Sequence, residues 1–275
     1  MLSFAAIASG SNGNCYYVGN SNEAILVDVG ISCRETERRM TRLGLSMNRV
    51  KGILLTHEHS DHILGLDVLV RKYQLPVYST EGTWRALHRI PQTVITRFIK
   101  RDEQFDLGNL RIRSFSKSHD AAEAVSYIIS QQNYHVGVIT DIGYACSEVK
   151  KWVPKCHALF LESNYCSQLL ESGSYPRALK NRISGRRGHL SNDEALELIR
   201  AKAGPQLRHL ILSHLSANSN RPELVDSMFD SFRSRMTVHV ASRYQESPLW
   251  DLDPSGGPRS SERSKPGNSQ LSLFS

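Results

Sequence analysis

A chain of 275 residues that is 40% hydrophobic and 22% charged has the composition of a folded globular protein, which excludes a disordered, fibrous or collagen-like one. No run approaches the roughly 20 apolar residues of a membrane helix, and Met1–Ser9 is short with no basic segment ahead of it, so the expectation is a cytoplasmic protein without a secretory leader or membrane contact. The formal charge of +7 and pI near 9.2 favour an anionic partner.

Apolar runs at 24–29, 50–56, 136–141, 157–162 and 209–213 read as buried strands, each ending at or beside a polar residue able to do chemistry. Helical spacing covers 34–45, 62–73, 191–203 and 221–233, the third opening on Ser191-Asn192-Asp193-Glu194, an N-terminal cap. Short strands alternating with amphipathic stretches predict a layered α/β body with functional residues at strand ends. After a last strand at 237–243 the composition turns to Ser, Gly, Pro and charge. The expected domain is therefore 1–246, followed by a disordered tail, 247–275. The tail holds as many acids (Asp251, Asp253, Glu262) as bases (Arg259, Arg263, Lys265), so the whole positive excess sits on the body. Five scattered cysteines, Cys15, Cys33, Cys146, Cys156 and Cys166, contain no Cys-x-x-Cys pair and are expected to be reduced and structural.

Directly after the strand at 50–56 comes His57-Glu58-His59-Ser60-Asp61-His62. Imidazole nitrogens and carboxylate oxygens suit divalent ions such as zinc, manganese or iron, and four of those here, His57, His59, Asp61 and His62, can serve two ions from one loop. More ligands should come from other strand ends, and His119, Asp141 and His214 stand there. A two-ion site makes a nucleophile from water at neutral pH and neutralises charge on the attacked group, which is hydrolase chemistry. His88, His135, His157, His209 and His239 fit no such pattern and are read as surface or core residues.

The order Asp28, hexapeptide, His119, Asp141, His214 resembles the five motifs of the metallo-β-lactamase superfamily over residues 1–245. The resemblance implies a four-layer αββα sandwich. It puts His57, His59 and His119 on one ion, Asp61, His62 and His214 on the other, and Asp141 as the bridge. Asp28 would orient the metal loop from behind. Gly188-His189-Leu190-Ser191-Asn192 resembles the segment preceding the last ligand in the superfamily's nucleases, which implies that His189 binds the scissile phosphate at a helix start and protonates the leaving oxygen. Asp61, Asp141 and His189 are then the catalytic residues, and Glu162-Ser163-Asn164 resembles an acidic motif of the same nucleases.

Arg177, Lys180, Arg182, Arg186 and Arg187 fall within eleven residues that contain no acid, and they lead straight to His189; with Asn14 from the Gly10-Ser11-Asn12-Gly13 turn they are candidate DNA contacts. Together, Gly-Ser-Asn-Gly-Asn-Cys, His-Glu-His-Ser-Asp-His, Gly-His-Leu-Ser-Asn and Leu-Ser-His-Leu-Ser look most like the YycJ/WalJ branch of exonucleases, whose implied activity is 5′ to 3′ DNA degradation. The 47 residues between Asp141 and His189 are too few for the large cap of RNase J-type enzymes, so an open groove suited to a duplex end is expected. A ribonuclease is one alternative; a small-molecule thioester or lactone hydrolase is another, which would share the ligands but leave unexplained the basic run before His189 and the end of the tail. There, Gln270-Leu271-Ser272-Leu273-Phe274 resembles the pentapeptide that docks on the bacterial DNA polymerase III β sliding clamp, which implies recruitment to repair such as mismatch repair.

Overall fold

The strands that read as continuous apolar runs do so because both of their faces are covered. The computed structural model describes residues 1–88 and 94–252. One sheet contains β1 (Leu2–Ala8), β2 (Cys15–Gly19), β3 (Ala24–Val27), β4 (Val50–Leu54), β5 (Val77–Ser79) and β6 (Thr96–Phe98). The other contains β7 (Gln104–Leu107), β8 (Leu110–Ser116), β9 (Val125–Gln131), β10 (Tyr134–Ile139), β11 (Ala158–Glu162), β12 (His209–Ser213) and β13 (Thr237–Val240). A short β14 (Trp250–Leu252) closes the first sheet beside β1, giving the order β14-β1-β2-β3-β4-β5-β6 opposite β13-β12-β11-β10-β9-β8-β7.

Alternation along a strand splits its side chains between two cores. Ile25 and Val27 join Phe4, Tyr127 and Phe160 between the sheets, whereas Ala24 and Leu26 face an outer layer with Met40 and Leu69. On the second sheet Ile211 points inward, and Leu210 and Leu212 meet Leu198, Ile199 and Val225. Each fully buried side chain of this kind contributes about 1.5–3 kcal/mol. The outer layers are α1 (Cys33–Arg42), α2 (Ser60–Ile63), α3 (Leu66–Tyr73) and α4 (Glu81–Arg85) on one side. On the other are α5 (Ser147–Trp152), α8 (Asn192–Lys202) and α9 (Pro222–Met228), with α6 (Ser167–Ser172) and α7 (Arg177–Ile183) between β11 and α8 in the chain. The result is the αββα sandwich that the motif order implied.

The cap on α8 is reciprocal: Ser191 Oγ accepts the Glu194 amide at 3.2 Å, and Glu194 Oε2 accepts the Ser191 amide at 3.0 Å. Two helices expected to be continuous are broken. The stretch 62–73 divides into α2 and α3 at Leu64–Gly65, and 221–233 into α9 and a 3-10 turn at Asp230–Phe232. No helix among the described residues is long and apolar enough to cross a membrane, and all five cysteines are free.

The expected tail boundary at 246/247 is corrected. Ser247 donates its amide to the Ala6 carbonyl at 2.9 Å, Leu2 pairs with Leu252, and the Trp250 ring stacks 5.7 Å from Phe4. Trp250 and Leu252 flank Asp251 with strand alternation, a pattern that the polar composition around it hides. The body thus runs at least to 252, and the pentapeptide at 270–274 lies outside the described residues.

Candidate metal centre

The parallel strands β3, β4, β10, β11 and β12 end on one rim, and the residues just past those ends converge there. Asp28, Asp141 and His214 each follow a strand with φ of 57°, 54° and 57°. This left-handed backbone costs a non-glycine residue about 1–2 kcal/mol, and here it turns each side chain inward. Gly30 makes a close approach possible. A Cβ there would sit 1.7 Å from the Asp61 carbonyl, and that carbonyl accepts the Asn14 amide at 2.8 Å.

Three ring nitrogens form one group: His59 Nδ1 lies 3.1 Å from His57 Nε2 and 3.3 Å from His119 Nε2. A second group joins Asp61, His62 and His214, with His214 Nε2 at 3.2 Å and His62 Nε2 at 3.4 Å from Asp61 Oδ2. Asp141 lies between them, 3.9 Å from His119 Nε2, 3.4 Å from His62 Nε2 and 3.3 Å from His214 Nε2.

On the outer side, four of these rings are held by an acceptor. His57 Nδ1–H donates to Thr56 Oγ1 (2.8 Å), His62 Nδ1–H to Asp28 Oδ2 (2.7 Å), His119 Nδ1–H to the Gly188 carbonyl (3.1 Å) and His214 Nδ1–H to Glu162 Oε1 (3.0 Å). With those nitrogens engaged, the other nitrogen of each ring points to the centre, the arrangement ligating histidines show. Asp141 Oδ2 is buried with no hydrogen-bond partner. An orphaned buried carboxylate oxygen among inward imidazoles is costly unless a cation satisfies it, so the residues fit divalent ions. Burial pushes His57 well below the usual imidazole range and His119 down to about 4, leaving both neutral and able to ligate. Burial opposes ionisation of Asp141, but His214 and His62 outweigh it and hold the carboxyl well below the usual range.

Asp28, fully buried, accepts the Thr56 amide and hydroxyl (both 2.8 Å) as well as His62, and so fixes the start and end of the hexapeptide. Glu162 is its counterpart on the other sheet. Its Oε1 accepts His189 Nδ1–H (2.7 Å) and His214 Nδ1–H, and its Oε2 accepts the amides of Ile142 (2.7 Å) and Leu190 (3.2 Å). Four hydrogen bonds fill the lone pairs of one carboxylate, which makes Glu162 a support for the two rings and not a ligand. Burial raises its pKa, yet His189 and His214 outweigh that and hold it at about 2.

A cleft of about 1030 Å³ opens over the centre, lined by His59, Asp61, Asp141, His189, His214 and Arg182, among others. Arg182 donates to Asp120 Oδ2 at 2.5 Å. Two groups of predicted substrate contacts are placed elsewhere. Asn14 is fully buried, its amide bonded to Gly10 O (3.1 Å) and Asp61 Oδ2 (3.2 Å), so it positions Asp61, and Ser11 from the same turn lines the cleft instead. Of the basic run, only Arg182 lines the cleft. Arg177 pairs with Glu171, Lys180 bonds the Glu171 carbonyl, Arg186 lies over the Tyr144 ring at 4.3 Å, and Arg187 holds the His119 carbonyl at 3.3 Å. The absence of acids within 177–187 concealed partners that lie earlier in the chain, Glu171, Tyr144, Asp120 and the His119 carbonyl.

Sequence reasoning missed Thr56, Asp120 and the cleft walls. It noticed Glu162-Ser163-Asn164 without its role: Asn164 Nδ2 donates to the His214 carbonyl at 2.7 Å. Asn220, of the Asn218-Ser219-Asn220 stretch, braces the same strand ends through the carbonyls of Ser163 and Asn164 (both 2.9 Å).

Residues 23–215 match the family described as beta-lactamase superfamily domain. The chain is 39% identical over 261 residues to exodeoxyribonuclease YycJ of Bacillus anthracis, covering 92% of this chain and 96% of that one. It is 32% identical over 226 residues to exodeoxyribonuclease WalJ of Streptococcus pneumoniae, covering 80% and 84%. Among solved structures, the metallo-β-lactamase fold protein YhfI from Bacillus subtilis superposes with a TM-score of 0.67 over 91% of this chain and all of that one; at 16% identity the likeness is one of fold.

Proposed function

The chain belongs to the beta-lactamase superfamily, in the branch of the YycJ and WalJ exodeoxyribonucleases, and from that premise we propose that it is a two-metal phosphodiesterase degrading DNA from an end, in the 5′ to 3′ direction. The observation that carries the phosphodiester reading is the His189–Glu162 pair. It places a second kind of imidazole in the cleft, beside the ligand groups, anchored by a buried carboxylate 2.7 Å away.

Held by His57, His59 and His119, by Asp61, His62 and His214, and by Asp141 between them, divalent ions such as zinc, manganese or iron would supply a nucleophile drawn from water and offset the negative charge of the attacked phosphate. The residues of the chain do the rest. Asp28 and Glu162 keep the ligating rings turned inward, and Asn14 holds Asp61. His189 commits Nδ1–H to Glu162, so Nε2 is the atom that passes a proton to the leaving oxygen as the P–O bond breaks. Arg182, fixed by Asp120, meets a neighbouring phosphate.

Gln270, Leu271, Ser272, Leu273 and Phe274 are the second part of the proposal. They dock on the polymerase III β sliding clamp and deliver the nuclease to repair such as mismatch repair, with tethering raising its concentration at DNA.

Purified protein with manganese or zinc, given 5′-labelled and 3′-labelled DNA, RNA and a thioester, tests the first part. Mononucleotides released from DNA 5′ ends are expected; turnover of the thioester alone would reject the reading. Deleting 270–275 should abolish clamp binding and leave cleavage of free DNA intact, and unchanged clamp binding would sink the second part.

A further inference from the structure

The cleft over the metal centre has two apolar walls that the chemistry described so far does not use. On one side stand Leu64 and Val68, 66% and 48% exposed, and both line the cleft that holds Asp141, His189 and His214. Leu64 cannot retreat. The next residue, Gly65, donates its amide to the Val29 carbonyl at 2.8 Å, and a Cβ there would lie 2.2 Å from the Ile31 carbonyl, so the backbone three residues past His62, directly after Leu64, is pinned. On the other side is α7, in which no residue is fully buried. Leu179, Arg182 and Ile183 fall at i, i+3 and i+4, one face of that helix, and all three line the cleft. Tyr175, just ahead of α7, lines it too, its hydroxyl accepting the Asn218 amide at 2.7 Å.

Single exposed apolar side chains are ordinary. Two sets lining one cavity beside a metal centre, Leu64 and Val68 at the α2–α3 break and on α3, Leu179 and Ile183 on α7, need an occupant. Of the parts of a nucleotide, the phosphate is bound for the ions and Arg182, and the sugar is polar. The base alone offers apolar faces. Inside a duplex those faces are stacked and the base edges are paired, so a base reaches the walls only when its pair is opened.

Resting on the exonuclease reading, we propose that Leu64 and Val68 with Leu179 and Ile183 form a subsite for the base of the terminal nucleotide, and that the substrate is a strand end whose last base is unpaired or is opened on binding. The open groove then receives duplex DNA by fraying its end. Mismatched ends are better substrates than paired ones, because the opening cost is already met.

The test uses the metal-loaded full-length enzyme and three duplexes that differ only in the attacked terminal nucleotide: paired, mismatched, or abasic. For the wild-type protein kcat/KM should be highest on the mismatched end and about tenfold lower on the abasic one, the scale of removing a base face from an apolar contact. In Leu64→Ser/Val68→Ser, and independently in Leu179→Ser/Ile183→Ser, the mismatched-to-abasic ratio should fall to about twofold or less. A ratio within one preparation does not depend on how much of a variant is correctly folded. Equal cutting of mismatched and abasic ends by the wild-type protein, or an unchanged ratio in both variants, would overturn the subsite alone. Failure to cut any of the three duplexes would overturn the exonuclease reading together with it.

Discussion

Asp28 and Glu162 occupy matching places on opposite sheets, and the difference between them separates metal binding from chemistry. Both are fully buried, both stand just past or at the end of a parallel strand, and both hold a ligating imidazole in place. Asp28 serves the metal loop alone, through Thr56 and His62. Glu162 shares one oxygen between His214, in a ligand group, and His189, assigned to the leaving oxygen. On the proposed roles, loading and turnover are independent at Asp28 and joined at Glu162.

The largest effect should come from taking away the His189 ring that shares the Glu162 oxygen. His189→Ala is expected to lower kcat by about 10²- to 10⁴-fold, the range for a lost general acid, while metal content by elemental analysis stays that of the wild type. Loss of the ions in this variant would show that His189 is a ligand and would erase the distinction drawn here.

The carboxylates come next. Asp28→Asn puts an amide against the His62 Nδ1–H and should weaken metal affinity about 10- to 100-fold, with kcat restored once excess metal is supplied. Glu162→Gln should weaken affinity similarly through His214, but excess metal should not restore kcat, because His189 has lost the carboxylate that holds it in place. Identical recovery of both variants in saturating metal would mean that the two carboxylates do the same work.

A third carboxylate, away from the site, gives the smallest effect. Glu35 on α1 accepts from Arg38 (2.7 Å) and from Arg39 (2.6 Å), and Arg39 is buried and also bonds the Ile7 carbonyl. Arg38 first, then Arg39, hold Glu35 down at about 2 against the burial that would raise it. The folded value lies below the unfolded one of about 4.3. Its contribution to stability is thus complete above about pH 4.3 and disappears as pH falls through about 2. Glu35→Gln should lower the unfolding free energy at neutral pH by less than about 1 kcal/mol, and the difference in Tm from wild type should vanish over that acid window in a thermal titration.

The legibility of the molecule divides along the same line as its two sheets. The first sheet's share of the site is almost wholly contiguous, His57 to His62, and a string of donors behind an apolar strand is readable from residue types alone. The second sheet contributes single residues from four separate strand ends and loops, His119, Asp141, Glu162 and His214, and only the order of motifs singles them out. The parallel strands β3, β4, β10, β11 and β12 were visible because they are apolar runs, whereas β5 and β6, also parallel, are three residues each and too short to stand out. The antiparallel β7 and β8 were not visible either, since β7 alternates exposed and buried positions and reads as a polar stretch. Leu64, Leu179 and Ile183 were invisible as site residues, because a leucine at helical spacing looks the same whether it meets a core or a cleft. The charges of 177–187 misled for the opposite reason: local sequence displays a guanidinium but not the distant acid, ring or carbonyl that engages it.

The pairing of β14 with β1 has a practical consequence for any shortened form of the chain. β1 is a seven-residue run, Leu-Ser-Phe-Ala-Ala-Ile-Ala, and β14 is the strand that covers its outer edge. Ending the chain at 246 would leave that edge as an unpaired template of high β propensity, the kind of surface on which molecules stack into aggregates. Three residues at the margin of a polar segment thus guard solubility, and poor behaviour of such a truncation would report an uncovered strand and not a lost activity.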